Sequence, residues 1–222
     1  MSQLLENIEI ETGANPTVAI IWMHGLGADG NDFVPLVKEL DLRGLPAIRF
    51  VFPHAGTMPV TINGGYVMRA WYDILGTDLV RREDETGLRK SQAQVEALIA
   101  REKARGIPAS RIILAGFSQG CAMTLQTGLR HPEKLAGLMC LSGYVPLSAK
   151  LATERSAASL STPIFMVHGR GDGVIPIQRA EASRDLLVSM GYQVEWHEYM
   201  MQHSLCQEEV DHIGKWLKHV LA

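Results

Sequence analysis

The sequence predicts the α/β class, a mostly parallel sheet of about seven strands with helices on both faces. Three observations carry this. Short β-branched runs alternate with helix-like stretches along the chain. With 222 residues, 46% hydrophobic and 20% charged, the chain suits one sizeable core better than two. A serine sits between glycines directly after one of the apolar runs, as Gly116-Phe117-Ser118-Gln119-Gly120.

The strand-like runs are Leu5–Glu11, Thr17–Met23, Ala47–Phe52, Arg111–Gly116, Leu135–Ser142, Pro163–His168 and Gln193–Tyr199. Helices are expected over Phe33–Leu40, Leu88–Arg105, Gln119–His131, Ile177–Met190 and Ser204–Leu221. In the last, Val210, Ile213, Leu217 and Val220 recur every three or four residues, which marks one buried face. Residues 53–87 are rich in glycine and proline and lack periodicity, yet hold Met58, Met68, Trp71, Tyr72 and Leu75. An apolar connection of that length inside one domain, residues 1–222, reads as a cover over an active site.

Composition excludes several classes. A net charge of −3 without a basic block argues against nucleic acid. No apolar run approaches the roughly 20 residues of a membrane span, so stable membrane insertion is not expected. Residues 1–7, beginning at an initiating methionine, lack the basic start and apolar core of a signal peptide. Cys121, Cys140 and Cys206 are too scattered for a disulfide framework or a zinc site, which fits small thiols in a reducing cytoplasm.

The G-x-S-x-G pentapeptide, between a strand-like run and a helix-like one, predicts a serine exposed on a tight turn above the sheet. The Gln119 N–H at the helix start would face developing negative charge. A serine hydroxyl needs a base, and the base needs a third group to orient it. On α/β-hydrolase folds these follow in the order serine, acid, histidine. His197 falls inside a strand, and His212 and His219 on the polar side of the last helix, which leaves His203, in a loop, as the base. Asp172 is the one carboxylate in His168–Pro176, after the preceding strand, and is the expected acid. A second oxyanion donor is expected from the loop His24–Gly30, through the Leu26 N–H, with His24 bracing that loop. The same loop spells G-x-G-x-x-G, but no acidic residue ends the next strand and Pro35 interrupts the following helix, which disfavours a dinucleotide site. His197, His203, Cys206 and His212 lack close metal-ligand spacing.

With His24–Gly30, Met68–Ile74, Gly116–Gly120, His168–Pro176 and Met200–Ser204 in place, the chain resembles the carboxylesterase and acyl-protein thioesterase family, also described as lysophospholipase-like, nearly end to end. The resemblance implies a small α/β-hydrolase without a large lid domain, cleaving carboxylic esters or thioesters without a cofactor. It implies a triad of Ser118, Asp172 and His203, oxyanion donors at Leu26 and Gln119, and an acyl wall with Leu75 and Val174, residues that read equally well as core. Cys121 departs from the glycine many relatives carry, which leaves acyl length open. The expected substrate is a small-molecule or lipid ester of short to medium acyl chain, or a lysophospholipid. Alternatives are an acyl-protein thioesterase acting on an acylated protein, and a catalytically silent binding protein. Apolar side chains in 53–87 would suit an acyl chain, a homodimer contact, or simple packing of the loop.

Overall fold

A computed structural model describes residues 4–76 and 83–222 of the chain. Its centre is a seven-stranded sheet of β1 (Asn7–Glu11), β2 (Val18–Met23), β3 (Ile48–Pro53), β6 (Ile112–Phe117), β7 (Gly137–Leu141), β8 (Ile164–Gly169) and β9 (Val194–Tyr199). The strand order is β1-β3-β2-β6-β7-β8-β9, with β1 antiparallel to β3 and every other pairing parallel. Strands β2, β3, β6, β7 and β8 are buried almost throughout, as expected where helices cover both faces.

One face is covered by α1 (Glu85–Ala104), α2 (Gln119–Gly128), α3 (Ser148–Glu154) and α4 (Ile177–Ser189), through Leu88, Val95, Met123, Leu125, Leu151 and Leu187. The other face is covered by α5 (Gln207–Leu221), which presents Val210, Ile213, Trp216 and Leu217 as its sequence period requires, together with Phe33 and Leu40.

The expected helix over Phe33–Leu40 is instead a single 3₁₀ turn, Pro35–Lys38, within a run of i→i+3 bonds that includes Leu36 N–H to Phe33 O. Such tight turns bring Phe33 and Leu40, both buried, onto one face of the sheet within seven residues. The stretch read as aperiodic contains a hairpin, β4 (Thr57–Val60) with β5 (Tyr66–Arg69), turning through Asn63-Gly64-Gly65. Its strands are largely exposed, so they lack the alternation that one-sided burial imposes. Part of the expected cover, residues 77–82, lies outside the described residues.

Parallel pairing brings the carboxyl ends of the strands to one rim. Met23 pairs with Gly116, Phe117 with Leu141, and Gly169 with Tyr199. The loops after β2, β6, β8 and β9 therefore emerge together, and they carry His24–Gly30, Ser118, Asp172 and His203. Among the described residues no helix is long and apolar enough to cross a membrane.

Candidate active site

Ser118 joins β6 to α2 with φ 56° and ψ −116°, a left-handed conformation that non-glycine residues rarely adopt. Such a residue costs about 1–3 kcal/mol and persists only where its surroundings fix it. Here both flanking glycines fix it. A Cβ on Gly116 would lie 2.2 Å from the Gly120 carbonyl, and one on Gly120 would lie 2.1 Å from the Met23 oxygen. The turn closes so tightly against β2 that only hydrogen fits at either position. The Ser118 N–H donates to Leu141 O (2.9 Å), which ties the elbow to β7.

The three residues singled out in the sequence meet at this point. Ser118 Oγ–H donates to His203 Nε2 (2.8 Å), and His203 Nδ1–H donates to Asp172 Oδ2 (2.6 Å). The Asp172 side chain is fully buried, and its other oxygen accepts the N–H groups of Val174 (2.8 Å) and Ile175 (2.9 Å). With both oxygens engaged, the carboxylate cannot rotate away from the imidazole. The Phe117 ring lies 4.7 Å from the His203 ring and supports its outer face.

Leu26 and Gln119 contribute backbone. Gln119 opens α2, so its N–H is among the donors a helix leaves unused. Neither N–H finds an acceptor among the described residues, although the neighbouring Gly27 N–H is taken by Arg69 O (2.9 Å). The loop carrying Leu26 is braced by His24, whose Nδ1–H donates to Gly25 O (2.7 Å) while Nε2 accepts Ala55 N–H (3.0 Å). Both nitrogens are spoken for by the neutral ring, and burial pushes its pKa down to about 4.

Three features of the site carried no assigned role in the sequence. The Gln119 side chain clamps the segment after β5: its Oε1 accepts Trp71 N–H (2.9 Å) and its Nε2 donates to Tyr72 O (2.7 Å). Trp71 Nε1–H also donates to His24 O (2.9 Å), which locks this segment to the loop after β2. Fully buried His168 donates from Nε2 to Ile175 O (2.8 Å) and stands 3.2 Å from Asp172 Oδ2, and burial lowers its pKa. A histidine at a strand end, four residues before the acid, was the available signal. Tyr72 and Tyr144 share a buried hydroxyl–hydroxyl bond of 2.9 Å, with the Arg179 guanidinium 3.3 Å from the Tyr144 ring centre. That contact lay beyond reach, because it joins residues 72 positions apart.

A cavity of about 300 Å³ opens beside Ser118, with Ile62, Ile74, Val174 and Ile175 among its walls and Tyr72 and Tyr144 bordering it. Leu75 stands outside that lining, and its neighbour Ile74 lies in the wall. Cys121 is fully buried and faces Gly143, where a Cβ would come within 2.5 Å of its sulfur; it belongs to the core beneath the elbow. His212 Nδ1 and the Tyr199 hydroxyl are hydrogen-bonded at 2.8 Å, and the His212 ring stacks on His197 at 4.5 Å. Among the described residues no group of three or more histidine, cysteine, aspartate or glutamate side chains is arranged to hold a metal ion.

The sequence pattern described as phospholipase/carboxylesterase matches residues 5–221. Acyl-protein thioesterase 1 of Neurospora crassa is 43% identical over 213 residues, covering 92% of this chain and 87% of its own. The crystal structure of Arabidopsis thaliana SOBER1 has a TM-score of 0.87 at 31% identity, spanning 92% of this chain and 99% of that one. Zea mays acyl-protein thioesterase 2 matches with a TM-score of 0.87 at 27% identity, spanning 98% and 99%. The chain thus has the α/β-hydrolase fold and belongs to the phospholipase/carboxylesterase family, enzymes that hydrolyse ester bonds.

Proposed function

We propose that the chain is a serine hydrolase that cleaves carboxylic esters and thioesters of apolar acyl groups through an acyl-enzyme on Ser118. One observation carries this: the unbroken hydrogen-bond chain from Asp172 through His203 to Ser118, opening onto an apolar cavity. In this reading His203 takes the Ser118 proton as Oγ attacks the acyl carbon, and buried Asp172 holds the imidazole and stabilises its charged form. The N–H groups of Leu26 and Gln119 stabilise the oxyanion, each worth about 10²–10³ in rate. The leaving alcohol or thiol departs with a proton from His203, which then activates water to release the acid.

Cavity size and wall chemistry favour short to medium acyl chains, with Ile62, Ile74 and Val174 in contact with the chain. A more specific reading, a thioesterase that removes acyl groups from protein cysteines, is favoured by the similarity to the acyl-protein thioesterases of Neurospora crassa and Zea mays. The test is turnover of p-nitrophenyl butyrate by Ser118→Ala, expected to fall by roughly 10⁴- to 10⁶-fold. Retention of most of the activity would refute the assignment.

A further inference from the structure

Ser118 and His203 open onto two different hollows. The acyl cavity is lined by Ser118, Leu26 and Gln119, but not by His203. A second hollow, of about 400 Å³, is lined by His203, Phe117, Leu36, Leu205, Asp32 and Glu39 among others, and shares no residue with the first. The proposed chemistry gives this second space a role. As the Ser118 Oγ–acyl bond forms, the bond from the acyl carbon to sulfur or oxygen breaks, and the departing atom takes the proton from His203 Nε2. That atom must stand within hydrogen-bond reach of Nε2. Whatever it carries then extends past the imidazole, into a space walled by His203.

The second hollow meets a more open one of about 560 Å³ at Asp32, where Gly27, Asp29, Asn31 and Arg69 form the lining. Together they exceed the needs of a small alcohol. Leu36, Phe117 and Leu205 supply an apolar floor, with the Phe33 ring 5.8 Å from that of Phe117. The rim is negative. Asp32 and Glu39 are exposed, and their carboxylates have no hydrogen-bond or ion-pair partner among the described residues. Asp29 accepts from its neighbour Asn31. Of the cations nearby, Arg69 lines the wider hollow and donates to Ala55 O (2.8 Å), and Lys38 is exposed outside the lining.

Resting on the active-site reading above, we propose that this groove binds the leaving-group side of the substrate. Its occupant is an extended peptide that bears the acyl group on a cysteine and carries a lysine or arginine close to it. The combined volume, the apolar floor and the unpaired carboxylates fit such a segment better than a compact headgroup.

Three thioester or ester substrates with the same octanoyl group test this on the full chain: an S-octanoyl-cysteine peptide flanked by lysines, the same peptide flanked by glutamates, and a glycerophosphocholine ester. The lysine peptide should exceed the glutamate peptide in kcat/KM by on the order of 10-fold at low salt, and the ratio should shrink as salt is added. The double variant D32N/E39Q, at two exposed positions, should bring that ratio close to one. A ratio near one in the parent chain, or one that the double variant leaves unchanged, would overturn the proposal. A phosphocholine ester that alone depends on Asp32 and Glu39 would assign the groove to a lipid headgroup instead. Failure of the active-site reading is separately visible, because Ser118→Ala would then turn over all three substrates.

Discussion

The Gln119 side chain offers the sharpest test of how the site is held together. In Gln119→Ala the backbone N–H proposed as an oxyanion donor remains, but the clamp on Trp71 and Tyr72 disappears. Both partners are backbone groups of buried residues, bonded at 2.9 and 2.7 Å. A buried polar group left unsatisfied costs about 1–3 kcal/mol, so two orphaned groups give roughly 2–4 kcal/mol once some water enters. For a chain of this size that corresponds to a fall in Tm of roughly 5–15 °C. The freed segment carries Tyr72 and Ile74 of the acyl cavity, so kcat/KM should fall by about 10- to 100-fold, with much of the change in KM. Gln119→Glu, which keeps the acceptor for Trp71 N–H and loses the donor for Tyr72 O, should lie between the two. Calorimetry and kinetics across an acyl-ester series would check this. An alanine variant that melts within a degree or two of the parent and keeps its kinetics would refute the clamp.

Two further outcomes follow from particular atoms. Gly120→Ala would place a methyl 2.1 Å from the Met23 oxygen, so the elbow must shift, and destabilisation by roughly 3 kcal/mol with near-complete loss of activity is expected in urea titration and turnover. Glu209 is fully buried at the start of α5, and burial pushes its pKa up to about 8 against the weaker opposing pull of the Cys206 N–H. An unfolded glutamate titrates at 4.5, so between pH 4.5 and 8 the folded chain holds a proton that the unfolded chain has lost, and Glu209 makes stability fall as pH rises. The rise from 4.5 to about 8 corresponds to roughly 4–5 kcal/mol, and Glu209→Gln should flatten this part of the stability–pH curve, measured by urea unfolding from pH 5 to 8. A variant curve parallel to that of the parent would contradict it.

Much of the site was legible because its chemistry sits at fixed places on the sheet. A residue after a buried parallel strand has little choice about which rim it reaches, so the G-x-S-x-G turn, the chain order serine, acid, histidine and the loop after each strand-like run pointed to Ser118, Asp172 and His203. Position in the chain also separated His203, in a loop, from His197 on β9 and His212 on α5. The less legible parts are those whose residues answer to no single period. The β4–β5 hairpin faces largely outward, so burial imposed no alternation, although Asn63-Gly64 is a turn signal and Pro59 obscured it. Helix α3 has one buried side chain, Leu151, over seven residues, too little to show a stripe. At Phe33–Leu40, apolar spacing suggested a helix where two buried anchors needed only a tight turn. The Gln119 clamp and the Tyr72–Tyr144 pair join residues 47 and 72 positions apart, and no local pattern encodes such contacts.

The most direct measurement is to label the chain with a fluorophosphonate and map the adduct by mass spectrometry. The account predicts a single phosphonyl group on Ser118, formed slowly or not at all once His203 is replaced by alanine. An adduct on another residue, or a parent chain that stays unlabelled, would contradict it.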